Sequence, residues 1–147
     1  MSLLENLYRE IVLDHYRHPR HYGPLEGAER FPGQNPSCGD HLVLYLDRQG
    51  DGPLRLAFEA EGCAISQASA SLMADLLTGT SADRAAELAR AFIATLHGGS
   101  VPEELGDLAA FSTLAQLPAR IPCALLPWTT LLSALSPDRP AADPAAP

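Results

Sequence analysis

The sequence predicts an α+β fold, a small antiparallel sheet packed against a helical layer. Leu42-Val43-Leu44-Tyr45-Leu46 reads as one strand, and Leu54-Arg55-Leu56-Ala57-Phe58-Glu59-Ala60 alternates as a second. The turn signal Gln49-Gly50-Asp51-Gly52-Pro53 joins them into an antiparallel hairpin. Before and after this hairpin, apolar residues recur at helical spacing. With 147 residues the chain has the length of one ordinary domain, able to bury roughly two thirds of its unfolded surface. A single domain over residues 1–135 is expected, and the Pro- and Ala-rich tail 136–147 is expected to be disordered, because it has too few apolar side chains to pack.

The elements follow in order. Leu3, Leu4, Leu7, Tyr8, Ile11, Val12 and His15 form a helical stripe, with Glu5, Arg9, Glu10 and Asp14 on the outer face. Ser2 stands as the N-cap with Glu5 three residues on. The helix should stop near residues 17–19, since Pro19 disfavours helical geometry at His18. His18 to Gln34 is rich in Pro, Gly, Arg and His and reads as a long surface connection; a strand before Cys38 has little sequence support. Past the hairpin, Ile65, Ala68, Leu72 and Leu76 make a helical stripe that Gly79 ends, and Ser66, Ser69, Ala70 and Ser71 are small enough for close packing. A further helix runs from about Ala82 to His97 with Ala85, Leu88, Ala89, Phe92, Ile93 and Leu96 inward, stopped by Gly98-Gly99. Asp107 to Gln116 is a shorter helical piece bearing Leu108, Phe111 and Leu114. Pro122 and Pro127 cannot both lie in a regular helix interior. The last helix is therefore expected to begin between Cys123 and Pro127 and to continue through Trp128, Leu131, Leu132 and Leu135.

Composition narrows the function. The formal net charge is −8, and all ten basic side chains are arginine. Nucleic-acid binding is disfavoured, because affinity for phosphates needs clustered positive charge. An acidic surface suits solubility and protein partners. The first residues lack the basic region and apolar run of a secretory signal, and no segment approaches the roughly 18 apolar residues of a membrane span. A cytoplasmic protein without membrane contact is expected, with its three cysteines kept as thiols. With no heptad seam and no long apolar edge, a monomer is the simplest expectation.

The chemistry concentrates at Cys38, Cys63 and Cys123, with Asp40 beside the first. Three thiols and a carboxylate make a possible four-ligand metal set, and Gly39 between Cys38 and Asp40 lets the backbone fold around one ion. Cys63 precedes a helix, and Cys123 is expected at or just before another, where unpaired amides favour a thiolate. Taken alone, each cysteine has an alternative reading as a small buried hydrophobe, which suits Cys123 as well as a ligand role does but suits Cys38, flanked by Pro36, Gly39 and Asp40 in a polar loop, less well; no Cys-x-x-Cys pair marks a zinc site. His41 adjoins Asp40 but opens a strand and should point to the opposite face. His15 reads as packed, and His18, His21 and His97 carry no specific signal.

The sequences around the thiols resemble the U-type iron–sulfur assembly proteins, the family of IscU and SufU, from Leu3 to about Leu135. Leu7-Tyr8 with Asp14-His15-Tyr16 and Pro19-Arg20 looks like the family's first helix, and Asn35-Pro36-Ser37-Cys38-Gly39-Asp40 like its first ligand loop. Gly62-Cys63-Ala64-Ile65-Ser66 with Ala68-Ser69-Ala70-Ser71 is similar to the second, and Arg120-Ile121-Pro122-Cys123-Ala124-Leu125 with Trp128 to the third. Pro122 stands where the IscU-like branch carries histidine, and Leu117-Pro118-Ala119-Arg120-Ile121 does not match that branch's chaperone-binding motif. Both features point to the SufU-like branch. Pro122 and Pro127 depart from its pattern.

The resemblance implies zinc held by Cys38, Asp40, Cys63 and Cys123. Cys38 would accept persulfide sulfur from a SufS-like cysteine desulfurase, for passage to downstream cluster-assembly scaffold proteins. The alternative is a scaffold that builds a [2Fe–2S] cluster on the same ligands, and a third reading is a passive zinc-stabilised binding module. Three thiolates and a carboxylate around a dication sum to about −2, unfavourable to desolvate. Arg120, three residues before Cys123, is the natural counter-charge and is expected to hydrogen-bond a ligand.

Overall fold

The alternation of β2 (Asp40–Arg48) places Leu42, Leu44 and Leu46 against the helices and His41, Val43, Tyr45 and Asp47 on the opposite face. The computed structural model describes residues 3–35, 39–48 and 52–135, with the backbone alone at 113–116. Ser2, the turn at 49–51, Cys38, the side chain of Leu114 and the tail 136–147 lie outside the described residues. Around the sheet stand α1 (Leu3–Arg17), α2 (Ala64–Leu77), α3 (Ala82–Leu96), a 3₁₀ run (Glu103–Gln116), a short 3₁₀ turn (Pro118–Arg120) and α4 (Ile121–Leu135). None of these helices is long and apolar enough to cross a membrane.

The sheet has three antiparallel strands in the order β1-β2-β3, with β1 at Glu29–Asn35 and β3 at Leu54–Glu61. The first strand corrects the expectation of a surface connection up to Gln34. Its sequence contains Pro32 and Gly33 and has poor strand propensity, yet pairing and packing decide. Asn35 pairs with Asp40 and Phe31 with Leu44. Gly33 lies against Thr130 of α4, where an added Cβ would stand 3.2 Å from the Thr130 Cβ. Only glycine allows α4 to approach this strand so closely.

The free side of β3 is sealed. Leu54 exchanges hydrogen bonds with Thr80 and Gly79 (both 2.8 Å), and the Leu56 N–H donates to Thr78 Oγ1 at 3.3 Å. Phe58 bonds to His21 and Gly23, and Tyr22 Oη donates to the Ala60 carbonyl. Unpaired edge groups are thereby withdrawn from neighbouring chains. On the sheet's other face, Tyr45 donates its hydroxyl to Glu59, Arg30 sits 5.8 Å from the Tyr45 ring centroid, and Arg55 pairs with Asp47.

The core lies between sheet and helices. α2 is buried on nearly every side, not along one stripe, because α1, α4 and β3 all pack on it. Trp128, Phe92 and Phe111 form an aromatic cluster, with Trp128 and Phe92 centroids 4.7 Å apart. The α1 stripe is covered only in its second half. His15 is buried and Ile11 and Val12 are partly so, whereas Leu3 is 88% and Leu7 55% exposed.

Three further expectations change in detail. The 3₁₀ run begins at Glu103, four residues before Asp107, and is broken at Gly106, which has φ +54°. α4 begins at Ile121, ahead of the expected window, so Cys123 sits inside its first turn. Pro127 lies in its interior, where it has no N–H to offer the Cys123 carbonyl. Thr130 Oγ1 donates to the Leu126 carbonyl at 2.8 Å, adding a side-chain bond beside the proline.

Candidate metal centre

Three structural junctions converge on one point. Asp40 opens β2 with its side chain on the core side, and is only 1% exposed. Gly62 turns the chain from β3 into α2 with φ +148°. Cys63 then serves as the N-cap residue of α2 in extended geometry, as its sequence position implies. Cys123 is 1% exposed in the first turn of α4.

These junctions bring Asp40, Cys63 and Cys123 together, with one potential ligand atom from each lying within 4.8 Å of the others. The Cys63 amide donates to Asp40 Oδ1 at 2.8 Å, and Asp40 Oδ2 stands 3.6 Å from Cys63 Sγ. Gly62 is required here, since a Cβ would overlap Oδ1 of Asp40 and come within 2.8 Å of its Cγ. Two thiols at helix starts and an oriented carboxylate at a strand start are a donor set that suits zinc or another thiophilic ion. The group can hold a metal ion, and Cys63, half-buried, is its more accessible member.

Cys38 falls outside the described residues, but two peptide links keep its Cα within about 8 Å of that of Asp40. Arg120 is exposed at the end of the 3₁₀ turn, its N–H bonded to the Leu117 carbonyl at 2.9 Å. His41 points away from Asp40, as its place in the strand requires, and its Nε2 lies 3.4 Å from Glu61.

Sequence reasoning treated the serines of α2 as small packing residues and missed their bonds. Ser66 Oγ donates to the Cys63 carbonyl at 3.1 Å and lies 3.9 Å from its sulfur. Ser69 Oγ receives the Trp128 indole N–H at 3.0 Å and donates to the Ala124 carbonyl at 2.6 Å. Ser71 Oγ accepts from the Arg20 amide and bonds His15 Nδ1, both at 2.8 Å. Burial, assisted by the Arg20 charge, holds the pKa of His15 below its ordinary value. The available signal was three serines at Ser66, Ser69 and Ser71 among the small and apolar residues of α2, since a buried hydroxyl demands a partner.

The comparisons agree with this geometry. Residues 7–136 match the model of the NifU-like N terminal domain. The zinc-dependent sulfurtransferase SufU of Bacillus subtilis (strain 168) is 37% identical over 130 residues, covering 87% of this chain and 88% of that protein. The iron–sulfur cluster assembly scaffold protein IscU of Streptococcus pyogenes serotype M1 is 37% identical over 137 residues, 92% of this chain and 86% of that one. Among solved structures, a putative iron–sulfur cluster assembly scaffold protein for the SUF system from Fervidobacterium islandicum AW-1 superposes with a TM-score of 0.81 at 34% identity. That match covers 86% of this chain and 95% of the other. With a family match over nearly all of its described residues, the chain belongs to the NifU-like N-terminal domain family, the U-type iron–sulfur cluster assembly proteins.

Proposed function

We propose that this protein is a zinc-dependent sulfur-transfer component of iron–sulfur cluster assembly. Cys38 accepts sulfur from a SufS-like cysteine desulfurase, and downstream scaffold proteins receive it. The observation that carries the reading is the convergence of Asp40, Cys63 and Cys123 on one buried point. Cys38, Asp40, Cys63 and Cys123 would hold the ion. Bound zinc keeps thiols ionised near neutral pH and adds no redox chemistry of its own.

The chain's own residues divide the work. Asp40, fixed by the Cys63 amide, and the buried Cys123 form the floor of the site. Cys38 lies between β1 and β2, in the connection that carries Asp40 at its end. In transfer, the Cys38 thiolate attacks the outer sulfur of the desulfurase persulfide. A new S–S bond forms on Cys38, the donor's S–S bond breaks, and the donor cysteine leaves as thiolate. Arg120, at the entry to α4, supplies positive charge to this anionic set.

A [2Fe–2S] scaffold on the same ligands is the second reading, supported by the similarity to IscU. Metal analysis and visible absorbance of protein purified without added metal separate the two. One zinc per chain and no colour supports transfer, whereas iron with a reddish chromophore supports scaffolding. Cys38→Ala, folded and still able to bind the desulfurase, is expected to abolish stimulation of its turnover; undiminished stimulation would eliminate sulfur acceptance at Cys38.

A further inference from the structure

The two thiol-bearing helices are joined by a buried polar relay that the family assignment leaves without a role. Ser69, fully buried on α2, receives the Trp128 indole N–H and donates to the Ala124 carbonyl. Both partners belong to α4, and Ala124 directly follows Cys123. On α2 the same serine stands six residues beyond Cys63, about 9 Å along the axis at 1.5 Å per residue. One hydroxyl thus ties the helix that begins at one thiol to the first turn that carries the other.

The first turn of α4 needs such a tie. Pro127 removes the N–H that would close the helical bond to the Cys123 carbonyl, and its ring crowds that carbonyl. The turn is therefore less strongly determined by its own helix than an ordinary first turn. Trp128, with no exposed surface and packed on Phe92, is a fully buried anchor one residue beyond the proline. Ser69 links this anchor to the carbonyl next to Cys123.

We propose that Ser69 is a positioning residue for the metal centre: by bonding Trp128 and the Ala124 carbonyl, it fixes the first turn of α4 against α2 and sets the Cys63–Cys123 spacing. The proposal rests on the metal-centre reading given above. Ser69 does not touch the ligands, so its effect lies in how well the preset thiols match an ion. Ser71, another buried serine of α2, bonds α1 and its exit instead, and should have no such effect.

The test compares the full chain with Ser69→Ala, Trp128→Phe and Ser71→Ala. Zinc affinity is measured by competition with a chromophoric chelator, and the ligand-field spectrum is recorded with cobalt(II), at a temperature where circular dichroism shows each protein folded. Ser69→Ala is expected to weaken zinc binding about tenfold, the lower end for partners that orient metal ligands, and to alter the cobalt bands. Trp128→Phe keeps an aromatic ring but loses the N–H donor, so it should shift affinity and spectrum the same way by a smaller amount. Ser71→Ala, which also loses a buried hydroxyl, should lower the unfolding temperature yet leave both metal readouts unchanged. Native affinity and cobalt spectrum in folded Ser69→Ala overturn the proposal; if that variant does not fold, native readouts in Trp128→Phe overturn it. Absence of zinc binding by the unaltered chain would instead refute the metal-centre reading itself.

Discussion

Gly62→Ala is a stringent test of the geometry that holds Asp40. The added methyl would overlap Asp40 Oδ1, and would lie 2.8 Å from its Cγ and 3.0 Å from its Cα, inside the 3.4–4 Å of ordinary contact. Rotating the carboxylate relieves the first two overlaps but not the third, so backbone must move as well. The displaced carboxylate loses the 2.8 Å bond from the Cys63 amide. A hydrogen bond to a charged group contributes about 1.5–3 kcal/mol. Placing alanine at φ +148° adds backbone strain, of order 1–3 kcal/mol. The expected loss is about 2.5–6 kcal/mol, a large share of the roughly 5–15 kcal/mol that holds a domain folded. Urea unfolding of the metal-free protein, followed through the fluorescence of its single tryptophan, Trp128, reads this directly. Zinc competition on the fraction that remains folded should show weakened binding, since Asp40 and Cys63 both shift. A loss below about 1 kcal/mol together with native zinc affinity would refute the claim that Gly62 shapes the site.

Two other outcomes follow from the same structure. The folded-state pKa of His15 lies below 6.5, with burial and Arg20 lowering it against the opposing effect of Asp14, Asp75 and Asp107. The unfolded chain takes the proton more readily, so stability should be greatest above neutrality and fall as pH drops through about 6.5. It should level once the folded protein also binds the proton; urea midpoints between pH 8 and pH 5 measure this, and equal slopes for native protein and His15→Gln would contradict it. Arg120→Ala should reduce zinc retention and sulfur acceptance together, and full retention of both would show that Arg120 is only a solvated loop residue.

The central hairpin and the helices were legible because their apolar periods match the faces they bury, as Leu42, Leu44 and Leu46 show. β1 was not, because its Pro32 and Gly33 argue against a strand. What makes it one is non-local: pairing with β2 and the close approach of Thr130. The start of α4 was misplaced for a related reason. Treating Pro127 as a helix boundary ignores that Trp128 and Leu131, just beyond it, are fully buried and that Thr129 and Thr130 donate side-chain bonds to the Leu126 carbonyl, so packing and side-chain bonds carry the helix past the missing bond. At the site, Cys63 as N-cap and the opposed faces of Asp40 and His41 followed from position alone. The distance between Cys63 and Cys123 could not, since it depends on how α2 and α4 pack, and the Ser69 hydroxyl that joins them looks in sequence like any small residue.

The pairing of Asn35 with Asp40 bears on how sulfur would arrive if Cys38 is its acceptor. Asn35 and Asp40, the strand residues on either side of Cys38 in the chain, are both held in the sheet, so covalent geometry alone bounds where the Cys38 Cα can lie. Three peptide links from Asn35 and two from Asp40 give this Cα a range of less than about 8 Å from Asp40. In the sulfur-acceptor reading, the travel falls to the donor, whose cysteine must ride a protruding segment long enough to deliver its cargo within that small radius.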